Sequence, residues 1–205
     1  MGRSLAASVK MIKAPAVWEL GFTGEGVVVG SVDSGVRGTH EALRDNFAGE
    51  YGWYDPEAKK TNPYDVTGHG THTVGTIVGA NGIGVAPGAT CMACKGCRAK
   101  GCPQSDLLAC FQFMTCPTDT NGKNKDCYKT PHVVNNSWGG GQGTSTHKAV
   151  IRAWLADGIL PIFSNGNNGR DGCGTVTSPG DYDIVLSVGA TTAADGLAEF
   201  SSMGP

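Results

Sequence analysis

The sequence predicts an α/β fold built on one doubly wound parallel sheet. Three observations carry that prediction. Val27 to Val32 and Ile159 to Phe163 are near-continuous apolar runs, the pattern of strands buried on both faces. Strand-like runs alternate with stretches of helical spacing along most of the chain. The 32 glycines punctuate apolar runs instead of clustering in low-complexity tracts, which fits tight turns in a compact chain. At 205 residues, one domain with one sizeable core is expected.

Residues 14–20 read as a short helix with Pro15 in its first turn. Thr23 to Gly26 is a turn, and the Val27–Val32 strand ends in Asp33-Ser34-Gly35. A carboxylate at the C-terminal end of such a strand lies where open α/β sheets place their ligands. A turn or capping Asp is the competing reading. Gly24-Glu25-Gly26 with Gly30 imitates a dinucleotide fingerprint, but its glycines precede the strand instead of joining it to a helix. Residues 44–66 read as a surface excursion with Tyr51, Trp53, Tyr54 and Tyr64 among turn residues. A helix opens at His69 and runs to about Gly79. Gly68 and Gly70 leave room for another chain to approach, Gly75 and Ala80 imply close packing, and His72 reads as structural, packed inside the helix. Ala80 to Gly88 is a loop and Cys91 to Lys95 a strand.

Ser105 to Cys116 reads as a helix capped by Ser105 or Asp106, with Leu107, Leu108, Phe111 and Met114 on one face. Pro117 to Lys129 is a polar, charged loop, and Val133 to Trp138 is the next strand, closed by three glycines. Thr144 or Ser145 can cap a helix whose apolar face is Ala149, Val150, Ala153, Trp154 and Leu155. Ile159 to Phe163 runs into Ser164-Asn165-Gly166-Asn167-Asn168-Gly169, and Ile184 to Val188 is a further strand.

A net charge of -2 and a pI of about 6.2 give no footing for nucleic acid or an anionic membrane. No apolar run approaches the ~20 residues of a membrane helix. Seven of the eight cysteines (Cys91, Cys94, Cys97, Cys102, Cys110, Cys116, Cys127, Cys173) fall between residues 91 and 127. An even count in loop-rich sequence predicts disulfides and an oxidising compartment. The Cys91, Cys94, Cys97 spacing resembles part of a metal or iron–sulfur ligand set. On a strand, however, side chains alternate and would not converge, so disulfides are the expectation. Cys97–Cys102 and Cys116–Cys127 are the cheapest loops to close; the full connectivity stays open. Leu5 to Val9 is too short for a signal core, and Lys10 and Lys13 follow it. A piece of a longer secreted, extracellular precursor reconciles these observations.

An imidazole such as that of His69 takes and returns a proton near working pH. Asp33, His69 and Asn167 occur in that order on strand–loop–helix boundaries. With them stand Gly84-Val85-Ala86-Pro87, Asn135-Asn136-Ser137-Trp138-Gly139-Gly140 and Phe200-Ser201-Ser202-Met203-Gly204-Pro205. Together these segments resemble the subtilisin family of serine proteases through almost the whole chain, and look most like its bacillopeptidase-type branch with cysteines added. The resemblance implies peptide-bond hydrolysis through an acyl-enzyme. Asp33 would orient His69, His69 would act as general base and then acid, and Asn167 would donate to the oxyanion. Asn165 and Asn168 are neighbours of the same type. Ser137, Trp138 and Gly139 would pair with substrate backbone as an added strand, and Ser164, Asn165 and Gly166 would form the opposite wall of the specificity pocket. A monomer acting on polypeptide substrates, with no cofactor, is expected.

The family's Gly-Thr-Ser-Met-Ala nucleophile motif does not occur in the 205 residues. Gly143-Thr144-Ser145 imitates part of it, but sits just after the Trp-Gly-Gly strand, where the family has a loop and helix start. The expectation is a subtilisin-like peptidase domain over residues 1–205, incomplete at its C-terminal end, covering about the N-terminal two thirds and inactive alone. The alternative is a non-catalytic fragment or pseudo-protease that retains a peptide-binding groove. Val78 to Val85 is short and free of carboxylates, and His40-Glu41-Ala42-Leu43 lacks an acid the family often has there, so no metal ligand set is expected. Ser178-Pro179-Gly180 matches a family turn that can hold a cis proline, and the sequon at Asn135 is expected unmodified on its strand.

Overall fold

The structure, a computed structural model, describes residues 5–204. The chain divides after His132 into two compact units. The first holds α1 (Ala7–Met11), α2 (Ala14–Trp18), β1 (Val28–Asp33), β2 (Trp53–Tyr54), α3 (His69–Val78), β3 (Thr90–Lys95) and α4 (Gln104–Thr115). Its strands pair in parallel in the order β2-β3-β1. Beyond their first residues β1 and β3 are buried, as their apolar runs predict. Their register sets Asp33 opposite Lys95, so both strands end together.

The start of α3 follows from two glycines. Gly68 takes a left-handed φ of 85° just before the helix. Gly70 lets the first turn lie on β1's exit: a Cβ there would stand 2.1 Å from the carbonyl oxygen of Gly35. Close approach therefore occurs at Gly70, whereas a Cβ on Gly75 would meet nothing within 4 Å. His72 faces solvent instead of packing inside. The surface excursion also needs correction. Trp53 is fully buried, donates its indole N–H to the Lys60 carbonyl at 2.7 Å, and meets Tyr64 edge to face. A two-residue strand is too short to show a period.

Neither Ser105 nor Asp106 caps α4, which begins after Pro103. Asp106 instead accepts from Arg98 at 2.8 Å. Cys110 and Phe113 are inside, with Leu108 on the exposed side. Cys94–Cys110 fastens β3 to α4, Cys97–Cys102 closes a hairpin, and Cys116–Cys127 closes the loop after α4. The two cheapest loops both form. Cys94 and Cys97 bond to different partners, so they do not converge as a thiolate set. Cys91 and Cys173 are free, and burial pushes the Cys91 thiol up to about 12. The loop after α4 is less solvated than its composition implies, because Asp119 is buried and accepts the amides of Asn121 and Lys123.

The second unit holds β4 (Val133–Asn136), α5 (Lys148–Ala156), β5 (Leu160–Ser164) and β6 (Leu186–Val188), paired in parallel in the order β4-β5-β6. Neither Thr144 nor Ser145 caps α5, whose N-cap is His147. Ile151 and Trp154 form its buried stripe, and Ala149, Ala153 and Leu155 are exposed. The three-residue spacing of Ile151 and Trp154 outweighs the alanines, which bury too little area to orient a helix. The Ser178–Pro179 peptide is cis. Every described strand pairing is parallel, and no described helix is long and apolar enough to cross a membrane.

Candidate active site

Asp33 ends β1 with 3% of its surface exposed. Buried carboxylates need hydrogen bonds to stay charged, and Asp33 has them. The Ser34 amide donates to Oδ1 at 2.6 Å, and His69 Nδ1 lies 2.8 Å from Oδ1 and 3.0 Å from Oδ2. The backbone carbonyl of Asp33 accepts the Cys97 N–H at 3.0 Å. A carboxylate can only accept, so it fixes the proton of a neutral His69 on Nδ1 and leaves the Nε2 lone pair for other chemistry. The His69 side chain is 55% exposed, so a buried acid is joined to an accessible base.

The pair is held by residues that sequence reasoning missed. Asp65 forms an isolated antiparallel bridge with Gly35. Its Oδ1 accepts from Ser34 Oγ at 2.8 Å and from the amides of Thr67 and Gly68. Its Oδ2 accepts both the amide and the hydroxyl of Thr71. Burial alone would raise the Asp65 carboxyl, but the bonds from Thr71, Ser34 and Thr67 outweigh it and hold it below the usual range. Ser34 Oγ in turn accepts from Thr67 Oγ1 and from the Gly70 amide. One carboxylate thus joins the segment after Asp33 to the first turn of α3. The available signal was an Asp four residues ahead of His69, with threonines on both sides, since short polar residues before a helix satisfy its first amides.

In the second unit residues 137–139 lie beside residues 164–166. Ser164 Oγ donates to the Trp138 carbonyl at 3.5 Å. Gly139 and Gly166 both converge on Thr177, whose Oγ1 would be 2.7 Å from a Cβ at either position. Ser137 Oγ accepts from Asn135 Nδ2. The asparagines differ. Asn165 spends its amide on the Ser202 carbonyl and Ser201 Oγ. Asn167 is exposed, and its side-chain amide makes no hydrogen bond among the described residues.

A parallel α/β chain with a buried strand-end carboxylate clamped to an accessible imidazole defines a class: a protein equipped to activate a nucleophile. Residues 24–205 match the model of the subtilase family, and the chain belongs to that family of subtilisin-like serine proteases. It is 39% identical to bacillopeptidase F of Bacillus subtilis strain 168 over 97% of this chain and 15% of that protein. It is 33% identical to subtilisin NAT of Bacillus subtilis subsp. natto over 98% of this chain and 50% of the relative. The subtilisin of Bacillus pumilus is also 33% identical, over 98% of this chain and 70% of the relative. The chain thus spans between about a seventh and 70% of the length of these relatives.

Proposed function

We propose that these residues carry the acid–base and oxyanion parts of a secreted serine endopeptidase. The observation behind this reading is the bond from His69 Nδ1 to both oxygens of buried Asp33. In the proposed reaction a serine hydroxyl attacks the scissile carbonyl as His69 Nε2 takes its proton. Asp33 stabilises the imidazolium as it forms, and His69 then hands the proton to the leaving amine. Asn167, whose amide is uncommitted, donates to the tetrahedral oxyanion. Ser137, Trp138 and Gly139 hold the substrate backbone opposite the wall of Ser164, Asn165 and Gly166. The three disulfides support an extracellular setting.

The nucleophile in this reading is a serine outside the 205 residues, because none of the serines among them sits in a Gly-Thr-Ser-Met-Ala setting. The chain by itself is then without peptidase activity, since removing one member of such a triad removes most of the rate. Two measurements test this. In ring-nitrogen NMR of the isotope-labelled chain, neutral His69 should carry its proton on Nδ1, bonded to Asp33, with Nε2 unprotonated. A serine-directed fluorophosphonate should label nothing. A His69 proton on Nε2 would count against the acid–base reading, and rapid labelling of Ser145 would overturn the absence of a nucleophile.

A further inference from the structure

Lys95 closes β3 with 0% of its surface exposed. A buried ammonium stays charged only when paired. Its nearest partners come from residues 55–64, and the more distant Asp106 carboxylate also feels its charge. Glu57 accepts a hydrogen bond from Nζ, Asp55 Oδ1 lies at 4.0 Å, and the Tyr64 ring centroid is 5.6 Å away. Asp55 is buried as well, and it shapes this loop. Its Oδ1 accepts the amides of Glu57 and Ala58, both at 3.1 Å, and its Oδ2 accepts the Lys60 amide and, at 2.9 Å, the Tyr64 hydroxyl. Burial and the neighbouring Asp55 push the Tyr64 phenol up, so it remains a donor.

Tyr64 is where this loop meets the catalytic segment. Its carbonyl accepts the Val36 N–H at 3.1 Å and presses on Gly35, where a Cβ would be 2.0 Å from that oxygen. The next residue is Asp65, with its bonds to Ser34 and Thr71. Val66 donates its amide to the Ser34 carbonyl. Residues 55–66 are therefore pinned to β3 by Lys95 at one end. At the other they close on the residues that follow Asp33 and lead into α3.

We propose that Lys95, the β3 neighbour of Asp33, is a positioning residue for the Asp33–His69 pair, its ammonium acting through Asp55, Tyr64 and Asp65 and making no hydrogen bond or ion pair to either member. The proposal rests on the dyad reading above. An apolar side chain of similar length would fill the same space at a smaller desolvation cost. It would leave the loop free to shift, however, because dispersion contacts are non-directional, whereas an ion pair with hydrogen bonds fixes orientation.

The proton on His69 Nδ1, bound between the ring and Asp33, reports this directly by NMR on the isotope-labelled chain. Lys95→Met is expected to speed its exchange with water by roughly tenfold or more, with the amide protection of Val29 and Met92 inside the sheet unchanged. Tyr64→Phe keeps the ring and removes one hydroxyl, so it should move the exchange in the same direction by about threefold. Lys95→Arg keeps the charge and should restore most of the protection. Tyr64→Phe decides the matter should Lys95→Met fail to fold. Unchanged Nδ1 exchange in Tyr64→Phe and in any folded Lys95→Met would overturn the proposal, as would equal loosening of Val29, Met92 and His69. Asp33→Asn separates the two readings. If that variant leaves the Nδ1 proton as protected as before, the dyad assignment falls and the role of Lys95 with it. Faster exchange in Asp33→Asn beside unchanged exchange in Tyr64→Phe and Lys95→Met overturns the role of Lys95 alone.

Discussion

The two units hold their proposed site residues in opposite ways. In the first, Asp33 and His69 sit in a closed set of hydrogen bonds built by Asp65, Ser34, Thr67 and Thr71, and all three disulfides belong to this unit. In the second, the proposed oxyanion donor Asn167 is exposed and uncommitted. The difference fits the two tasks. A base must have its tautomer set before substrate arrives. An oxyanion donor must still be unpaired at that moment, because its partner forms only in the transition state.

The largest test of this contrast is Gly35→Ala. Gly35 has φ +114°, and its new Cβ would stand 2.0 Å from the Tyr64 carbonyl oxygen. Either the loop or β1's exit must move, so the variant should lose more than about 4 kcal/mol in denaturant unfolding. Gly75→Ala, on a helix position with open space, should instead gain about 0.5 kcal/mol. A mild Gly35→Ala would show that the first unit is far less rigid than its hydrogen bonds imply.

Disulfide reduction comes next. Cys94–Cys110 closes a separation of 16 residues, and removing such a crosslink costs about 3 kcal/mol. Because every disulfide lies in the first unit, reduction should accelerate amide exchange in β1 and β3 while leaving β4 and β5 near their oxidised rates. Equal acceleration in both units would erase the distinction drawn between them.

How much of this was legible differs along the same lines. β1, β3 and the His69 helix could be read because long apolar runs and a glycine-flanked helix start are local signals. The Asp33–His69 contact could be anticipated because both residues lie at element boundaries. Trp53, Asp65 and Lys95 could not, because their roles depend on partners brought together by tertiary pairing; the Lys95 ammonium finds Glu57 across 38 positions. Asp106 does not cap α4 as its sequence position suggests, because Arg98 is its partner. Cys94–Cys110 does not follow from the sequence, because loop length favours the shorter closures, whereas the fold brings β3 against α4.

Asp65 supplies a pH test. In the folded chain its carboxyl is held below its ordinary value, with burial opposing and Thr71, Ser34 and Thr67 prevailing. The folded state therefore binds this proton less readily than the unfolded state. The resulting stability is fully present above the ordinary carboxylate value near 4 and is lost as pH falls through the lowered folded value. Asp65→Asn should thus lower stability at neutral pH and flatten the acid limb of the first unit's unfolding curve. An unchanged acid limb would mean that Asp65 does not hold the segment together.

The smallest expected effect is the most specific. Asn165→Ala leaves the Ser202 carbonyl without its amide partner, a loss of about 1–3 kcal/mol in stability. Asn167→Ala removes an exposed amide that bonds to nothing in the described chain, so its stability should stay within about 0.5 kcal/mol of the parent. In a form that carries the nucleophile the order should invert. Asn167→Ala should then lower kcat by about 10²–10³, the magnitude measured for the oxyanion asparagine of a subtilisin, with KM little changed. A substitution silent in folding yet costly in kcat is what an uncommitted donor requires. If Asn167→Ala destabilises the chain as much as Asn165→Ala, the second unit has no poised donor there, and the contrast with the pre-set histidine fails at its weaker end.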